Sequence, residues 1–496
     1  MPSSLPAACA ARRRAGVLLH PTSLPGSSTS GDLGAEAFHF VNFLADCGFG
    51  VWQMLPIGPP QGGCSPYQAA SAHAGDPRLI GLEPLRTAGW LDTLPTPPFD
   101  DAARDAALRE AHRGFLRATG AAVKDEFAAF QAEHAHWLDD YVLFRALGAQ
   151  RGGGWWRWPK GLRQRERRAL QQARQKLAAE LDYLRWEQFV FFRQWAALRA
   201  HAQSVGVQLF GDMPIFVAHD SAEVWARPED FDLNPDGTPR VVAGVPPDYF
   251  SATGQRWGNP LYRWARLEAD GFRFWVERLR TQLKLFDLVR IDHFRGFEAY
   301  WEIPATEEYA INGTWVPAPG DALFRRLRQE FGDLPLVAED LGVITPGVEK
   351  LRRDHGLPGM RILQFAFSGG PDNPYLPHHH EPDAIVYTGT HDNDTTLGWY
   401  LSLAPEERAV VDDYLGQPGE PMPWPLIRCA LASVACLAIV PMQDVLALDG
   451  THRMNRPGTC EGNWDWRFDW SRIDPGLPAR LRHLVRLYGR APEGGR

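Results

Sequence analysis

Four acidic residues stand at the ends of short apolar runs in the chain, where a buried strand would stop. They are Asp212 in LFGDMPIFV, Asp292 in VRIDHFRG, Glu339 in LVAEDLG and Asp392 in YTGTHDND. Acidic side chains are rarely buried without a partner, so an acid at the end of each of several inner strands costs stability. Either each acid pairs with a neighbouring arginine, or a shared function retains them.

Carboxyl groups in different protonation states are what the chemistry of glycosidic bonds requires. When several carboxylates and few cations share one site, some acids keep a proton at high pH while others stay ionised. A protonated carboxyl then serves as proton donor and an ionised one as nucleophile or base, roughly 5 to 5.5 Å apart in retaining enzymes and roughly 6.5 to 9.5 Å apart in inverting ones. The 19 tryptophans offer flat apolar faces of the kind that stack on sugars, although tryptophan also fills cores.

The acids need a scaffold that brings them together, and the pattern of apolar runs indicates one. Eight short runs rich in β-branched residues occupy residues 16–20, 51–56, 207–212, 288–292, 336–340, 361–367, 385–392 and 437–444. Segments with helical periodicity, such as 322–331, lie between the later runs. Eight alternating β/α units predict an α/β fold, a closed (β/α)8 TIM barrel, whose chemistry collects at the carboxyl ends of the strands.

The spacing of the runs predicts how the chain is divided. About 150 residues separate the second run from the third, whereas a usual βα unit has some 30. A mostly helical insertion is therefore expected at about 85–200, within a single catalytic barrel that extends from 1 to 470. The segment at about 245–260, rich in turn and aromatic residues, is expected to cover the cleft. Residues 471–496 are expected to form a C-terminal helix and a short tail.

Other kinds of chemistry find less support in the sequence. The histidines at 378–380 have no His-x3-His or cysteine partners, so no metal site is expected. His20, His293 and His391 follow apolar runs, where an imidazole either binds hydroxyl groups or serves a structural role. There is no G-x-S-x-G nucleophile elbow, and no P-loop or G-x-G-x-x-G opens a helix after a strand. No cofactor is expected.

Composition restricts the class of protein and its partners. The 496 residues carry a formal net charge of -8, with 23% charged and 44% apolar residues, which describes an ordinary globular protein and not a binder of nucleic acid. No apolar run reaches the roughly 20 residues of a membrane helix. The six cysteines form no C-x-x-C pair and no regular framework. A soluble protein of the reducing cytoplasm is the expectation.

Nine segments, taken in order, resemble one enzyme family. They are LLHPTSLPG (18–26), SPYQ (65–68), GDMPIFVAHDSAEVWA (211–226), RWGNPLYRW (256–264), VRIDHFRGF (289–297), AEDLG (338–342), GTHDNDT (389–395), and RMNRPGT with GNWDWR (453–459, 462–467). Together they resemble the amylomaltases, the 4-α-glucanotransferases or disproportionating enzymes of the α-amylase clan. The resemblance extends from about residue 16 to about residue 470.

The resemblance implies a barrel with helical insertions and no separate C-terminal β domain, and it implies roles for individual residues. Asp292 matches the family's nucleophile, Glu339 its general acid/base, and Asp392 the third acid that holds the donor sugar. The residues that match substrate-binding positions are Tyr67, Asp212, Trp257, Arg290, His391 and Asn463. The implied activity is retaining transfer of α-1,4-glucan segments between maltooligosaccharides, and an α-glucan hydrolase with the same site is the alternative.

Two further features of the sequence bear on this assignment. Arg290 precedes Asp292 by two positions, so both side chains point to the same side of a strand, where the fixed positive charge favours an ionised Asp292. The sequence departs from the family pattern at Cys64, where relatives more often carry an acid, and in PGSSTSGDLG (25–34). A structural role is expected for Cys64, and neither departure involves the three proposed catalytic acids.

Overall fold

A computed structural model describes residues 12–61, 65–247, 251–459 and 461–492. The strands of these residues are β1 Arg14–Leu18, β2 Val51–Gln53, β3 Gln208–Pro214, β4 Val241–Val245, β5 Gln255–Pro260, β6 Leu288–Asp292, β7 Ala299–Pro304, β8 Thr314–Pro317, β9 Leu336–Ala338, β10 Gly359–Ile362, β11 Ala384–Tyr387 and β12 Leu437–Pro441. Their α-helices are α1 Ala35–Asp46, α2 Glu83–Thr87, α3 Asp101–Ala118, α4 Ala121–Arg151, α5 Lys160–Arg163, α6 Arg167–Lys176, α7 Ala178–Ser204, α8 Ala222–Ala226, α9 Trp264–Ala269, α10 Arg273–Leu285, α11 Gly320–Phe331, α12 Pro346–Asp354, α13 Thr396–Ser402, α14 Pro405–Tyr414, α15 Trp424–Ala432, α16 Met442–Val445 and α17 Leu477–Leu487.

Eight of the strands form a parallel sheet that closes on itself. Its order is β10-β11-β12-β1-β2-β3-β6-β9, and the two ends meet where the amide of Ala338 donates to the carbonyl oxygen of Pro358 at 2.9 Å. Each strand overlaps one of the eight predicted apolar runs, with the smallest overlap at β10, which begins two residues before the predicted 361–367 and ends at Ile362. The runs are continuous because barrel strands are covered on both faces, as the fully buried β11 and β12 show. The predicted (β/α)8 barrel is confirmed.

A second sheet accompanies the barrel and was not predicted. It has four antiparallel strands in the order β5-β4-β7-β8, inserted between barrel strands β3 and β9. Strand β5 occupies residues that the sequence assigned to the cleft-covering segment at 245–260, so part of this segment is a strand. Residues 248–250 of the segment lie outside the described residues. These strands are short and partly polar, which is why their pattern did not stand out from that of loops.

Helices occupy the long interval between β2 and β3. From α2 to α7 this interval contains six α-helices in the described residues, and the two longest, α4 and α7, pack against each other. After the last barrel strand, α17 packs against α1 and α15. None of the helices in the described part of the chain is both long and apolar enough to cross a membrane.

The cysteines and tryptophans are distributed in ways that composition does not reveal. Cys47 and Cys429 are free thiols, whereas Cys436 is disulfide-bonded, a link that no spacing in the sequence suggested. Cys64 lies outside the described residues.

Several tryptophans fill the core with less than 2% of their surface exposed, namely Trp52, Trp155, Trp186, Trp195, Trp225 and Trp275. In all, 12 of the 19 tryptophans are buried, so most of the tryptophan content reflects packing.

Candidate active site

The register between β3 and β6 places an arginine between two of the acids. Asp212 lies opposite Arg290, and the alternation of side chains along β6 puts Arg290 and Asp292 on the same face. Nη1 of Arg290 donates to Oδ2 of Asp212 at 2.7 Å, and its Nη2 lies 2.9 Å from Oδ1 of Asp292. Asp212 and Arg290 are only 2% and 5% exposed. One buried guanidinium therefore holds two carboxylates at the carboxyl end of the barrel.

Glu339 enters the same site from the neighbouring strand. Ala338, the last residue of β9, pairs with Ile291, so Glu339 follows at the level of Asp292. The backbone amide of His293 donates to Oε2 of Glu339 at 2.7 Å, and the amide of Leu341 donates to Oε1 at 3.1 Å. These two amides fix the orientation of the carboxyl group.

His293 makes this arrangement possible through its backbone. The chain turns directly after β6 because His293 adopts a left-handed conformation, with φ of 54°. Its imidazole is buried, and burial lowers its pKa to about 3, so the ring is neutral. The side chain of Arg295 donates to the carbonyl oxygen of Val343, in the loop that follows Glu339. Both residues support the loops around the acids.

The third acid of the mouth comes from the loop after β11. Asp392 remains 49% exposed in its side chain. Its Oδ1 accepts from Nδ2 of Asn455 at 2.6 Å, and its Oδ2 lies 3.4 Å from Nε2 of His391. The carboxylate of Asp392 is therefore accessible from the open cleft, and its contacts within the protein are with Asn455 and His391.

Tyr67 and His391 connect the third acid to the buried ion pair. The hydroxyl of Tyr67 donates to Oδ2 of Asp212 at 2.8 Å and lies 2.9 Å from Nε2 of His391. The two rings stack with centroids 5.4 Å apart. Burial lowers the pKa of His391, so its imidazole is neutral. Because the Tyr67 hydroxyl is already used as a donor to Asp212, we infer that Nε2 of His391 carries the ring proton and donates to the hydroxyl oxygen.

Two predicted substrate-binding residues differ in how the structure places them. The ring of Trp257, on β5, is perpendicular to that of His293 at a centroid distance of 4.8 Å, which puts it beside the loop that holds Glu339. Asn463 instead supports its own loop. Its side chain accepts from the amide of Arg456 at 2.8 Å and donates to the carbonyl oxygen of Thr459 at 3.0 Å. Within the described residues, its hydrogen bonds do not reach the acids.

Two other residues of this C-terminal loop contact the site and were not predicted for it. Trp464 has its ring centroid 6.0 Å from the rings of both Tyr67 and His391. Asn455 donates to Asp392, as described above. Both lie in segments that carried the family resemblance, but nothing in an asparagine or tryptophan of a turn-rich segment distinguishes a residue that contacts an acid from one that supports the turn.

Asp292 and Glu339 titrate as a pair because their charges repel each other and Arg290 attracts both. Burial raises the pKa of Asp292, and the neighbouring acids raise it further against the opposing charge of Arg290. Burial also raises the pKa of Glu339, against Arg290 and the two backbone amides. The pair therefore keeps one proton through neutral pH. The direct contact with Arg290 favours an ionised Asp292, which leaves the proton on Glu339.

Two cavities open beside this group of residues. One of about 530 Å³ is lined by Tyr67 and Asp212 together with Phe216, and the other, of about 430 Å³, is lined by His391 and Asp394. The stacked rings of Tyr67 and His391 therefore separate two cavities at the carboxyl end of the barrel. Polar groups that converge on a concave site are typical of small-molecule binding.

The described residues offer no metal site of ordinary composition. No three His, Cys, Asp or Glu side chains among them lie close enough together to hold a metal ion. The histidines at 378–380 are engaged in hydrogen bonds, with Tyr414 for His378, with the carbonyl oxygen of Pro371 for His379, and with Ser433 for His380. The chemistry that this site supports is proton transfer and nucleophilic attack by carboxyl groups.

Comparison with known proteins points to the same chemistry. A sequence model of the family described as 4-alpha-glucanotransferase matches residues 19–472. The 4-alpha-glucanotransferase of Thermus thermophilus is 53% identical over 491 residues, 95% of this chain and 98% of the relative. That of Synechocystis sp. is 47% identical over 496 residues, 97% and 98% of the two chains. The structure of an amylomaltase from Streptococcus agalactiae in complex with acarbose superposes with a TM-score of 0.93 at 37% identity, covering 97% of this chain and all of that one.

Proposed function

The chain belongs to the 4-alpha-glucanotransferase family, and from this membership we propose how its barrel mouth moves α-1,4-glucan segments between maltooligosaccharides. As a 4-α-glucanotransferase it is a hexosyltransferase, so the reaction exchanges one glycosidic bond for another. The observation that carries the mechanism is the contact between Arg290 and Asp292 beside Glu339. It supplies an ionised nucleophile next to a protonated acid.

The first half-reaction cleaves the donor glucan. The ionised carboxylate of Asp292 attacks the anomeric carbon, C1, and forms a glycosyl ester with the enzyme. As the bond between C1 and the glycosidic oxygen breaks, Glu339 gives its proton to that oxygen, and the shortened glucan leaves with a free 4-hydroxyl group. Asp392 holds the 2- and 3-hydroxyls of the donor sugar, with Asp212, Tyr67 and His391 lining the same subsite.

The second half-reaction depends on which hydroxyl group reaches C1. Glu339, now ionised, takes the proton from the 4-hydroxyl of an acceptor glucan, whose oxygen displaces Asp292 and restores an α-linkage. Attack by water would give hydrolysis instead. We assign Trp257 to the acceptor side because it lies beside the loop of Glu339, and the segment at about 245–260 that contains it is proposed to cover the cleft. A covered, aromatic acceptor site favours a sugar over water.

Incubation of the pure protein with maltotriose tests transfer against hydrolysis. We expect glucose together with a ladder of longer maltooligosaccharides, because each transferred segment is added to another acceptor. Chromatography of the products at several times measures both. Maltose and glucose without any longer glucan would mean that water is the acceptor, and the hydrolase alternative would then replace transfer.

The shared proton predicts the pH dependence of the reaction. The active form has Glu339 protonated and Asp292 ionised, so kcat/KM for maltotriose follows a bell-shaped profile. The raised pKa values of Asp292 and Glu339 keep the shared proton bound to higher pH. The alkaline limb, at which Glu339 loses this proton, is therefore expected in the neutral to alkaline range. The acid limb marks the second proton, which Asp292 takes up. An alkaline limb near about 4.3, the pKa of an isolated glutamate, would contradict a shared proton.

The location of the protein and the division of its chain are also proposals. We place it in the cytoplasm, and we treat residues 1–470 as one catalytic unit with the helical insertion at about 85–200. Residues 471–496, which include α17, are proposed as a C-terminal helix and short tail. Cell fractionation followed by the maltotriose assay would test the location.

A further inference from the structure

The segment around Asn455 is fastened to the segment around Asp392 by two hydrogen bonds, and a third lies within the segment of Asn455. Nδ2 of Asn455 donates to Oδ1 of Asp392 at 2.6 Å, and Asn455 is buried. Arg453 joins the two backbones: its Nη2 donates to the carbonyl oxygen of Asp392 at 2.9 Å, and its Nε donates to the carbonyl oxygen of Asn455 at 3.2 Å. The side chain of Arg453 thus holds the backbones of Asp392 and Asn455 together, which fixes the contact between their two side chains.

We propose that Asn455 is a positioning residue that fixes the carboxylate of Asp392 for its contact with the donor sugar. The proposal rests on the proposed function, which assigns the hydroxyls of that sugar to Asp392. Half of the Asp392 side chain faces the cleft, so its carboxylate would be free to rotate without a firm partner. A contact of 2.6 Å from a buried amide is such a partner, and it leaves Oδ2 and the second lone pair of Oδ1 for the sugar.

The remaining contacts of Asp392 do not replace this one. Nε2 of His391 lies 3.4 Å from Oδ2 and already serves the hydroxyl of Tyr67 at 2.9 Å. The backbone amide of Asp392 donates to Oγ1 of Thr390 at 3.3 Å, which orients the chain but not the carboxylate. Without Asn455, the orientation of the acid would depend on one long contact with a shared imidazole.

The choice of an asparagine has a chemical reason. An amide donates a hydrogen bond without adding charge, whereas a cation at this position would neutralise Asp392. The transition state carries positive charge on the sugar ring, so a neutralised acid would stabilise it less. Arg453 is close enough to serve as that cation, but its hydrogen bond to residue 392 goes to the backbone carbonyl, and its Nη1 is directed towards Asp394 at 3.8 Å.

Two substitutions test the role of Asn455. Asn455→Ala removes the donor and is expected to lower kcat for maltotriose by about 10- to 100-fold with little change in KM. Asn455→Asp keeps the size of the side chain and makes the donor depend on pH: a protonated carboxyl donates to Asp392, and an ionised one repels it. The ratio of its kcat to that of the wild type should therefore fall by at least about 10-fold between about pH 5 and pH 8.

The charged and titratable groups around Asp392 bear on this pH dependence. They are His391, Arg453, Asp394, Asp292 and Tyr67. Burial raises the pKa of Tyr67, so its hydroxyl stays neutral as pH rises from about 5 to 8, whereas burial lowers the pKa of His391, whose titration is present in the wild type and cancels in the ratio. Any contribution of Asp292 is present in the wild type and cancels in the ratio.

A matched control is Asn234→Asp, the same chemical change at an asparagine whose amide donates to Oγ1 of Thr238 at 3.1 Å in a distant turn. Its kcat ratio should not vary with pH, and thermal unfolding at both pH values shows whether each variant is folded. If Asn455→Ala does not fold, the pH-dependent ratio of Asn455→Asp still decides. A ratio for Asn455→Asp that is independent of pH, or wild-type kcat in Asn455→Ala, would overturn the proposal.

One more variant separates this inference from the proposed function. Asp392→Asn should be inactive if Asp392 holds the donor sugar. An active Asp392→Asn would refute the role of the acid itself. An inactive Asp392→Asn combined with wild-type behaviour of both Asn455 variants would leave the proposed function intact and refute only the positioning role.

Discussion

Asp292→Asn lowers kcat on maltotriose by about 10⁴-fold, while the protein stays folded and still binds glucan. An amide is not nucleophilic enough to form an ester with C1, so the first half-reaction stops. The fold tolerates the change because Arg290 keeps its ion pair with Asp212 at 2.7 Å and because the side chain of Asp292 is 29% exposed. The rate of glucose release measures the loss of activity, and thermal unfolding measures the stability.

The control for this prediction is Asp413→Asn, which makes the same change at an exposed acid on α14 and should behave as the wild type. Glucan binding to Asp292→Asn can be followed by the quenching of tryptophan fluorescence on titration with maltoheptaose. Turnover within ten-fold of the wild type would exclude Asp292 as the nucleophile.

Glu339→Gln is expected to lower kcat on maltotriose by about 10³-fold, and the loss should depend on the leaving group. A glutamine cannot protonate the glycosidic oxygen. With α-maltosyl fluoride, however, the leaving group departs without a proton, so Asp292 still attacks C1. The second half-reaction then lacks its base, because the amide cannot take a proton from the acceptor. The glycosyl-enzyme should therefore accumulate and add the mass of one maltosyl group to the protein.

Mass spectrometry of the intact protein, followed by peptide mapping, measures this adduct and locates it. The double variant Asp292→Asn/Glu339→Gln is the matched control and should show no adduct. The backbone amides of His293 and Leu341 donate to different oxygens of Glu339, so the single carbonyl oxygen of the glutamine keeps one of these two hydrogen bonds. A first-turnover rate of fluoride release that falls as much as the rate with maltotriose would show that Glu339 acts in some way other than proton transfer to the leaving group.

The barrel was predictable because each of its eight strands needs a continuous apolar run, so the same pattern is repeated eight times in the sequence. Each inner strand is covered by the barrel interior on one side and by helices on the other, so it needs a continuous apolar run, and the runs of β11 and β12 are fully buried. The four-stranded antiparallel sheet was missed because its strands are half covered and partly polar. In β5, for example, Gln255 and Arg256 are exposed in a segment that resembles a loop.

The acids of the site were predictable for a related reason. A charged residue at the end of a buried strand conflicts with the local pattern, so Asp212, Asp292 and Glu339 stood out one by one. Asn455 and Trp464 created no such conflict. A polar or aromatic residue in a turn-rich segment fits its local surroundings whether or not it contacts an acid. Only the path of the chain shows that this segment returns to Asp392 and Tyr67.

The sequence by itself determined the barrel and the family and predicted the acids proposed for catalysis, because burial patterns and motifs are properties of neighbouring residues. Tertiary structure decided how those acids share protons and partners. The hydrogen bond from Arg290 to Asp212, the backbone amide of His293 that donates to Glu339, and the amide of Asn455 on Asp392 each join residues far apart in the chain. Electrostatic interactions depend on distances of a few ångströms, and the packing of the strands and loops sets those distances.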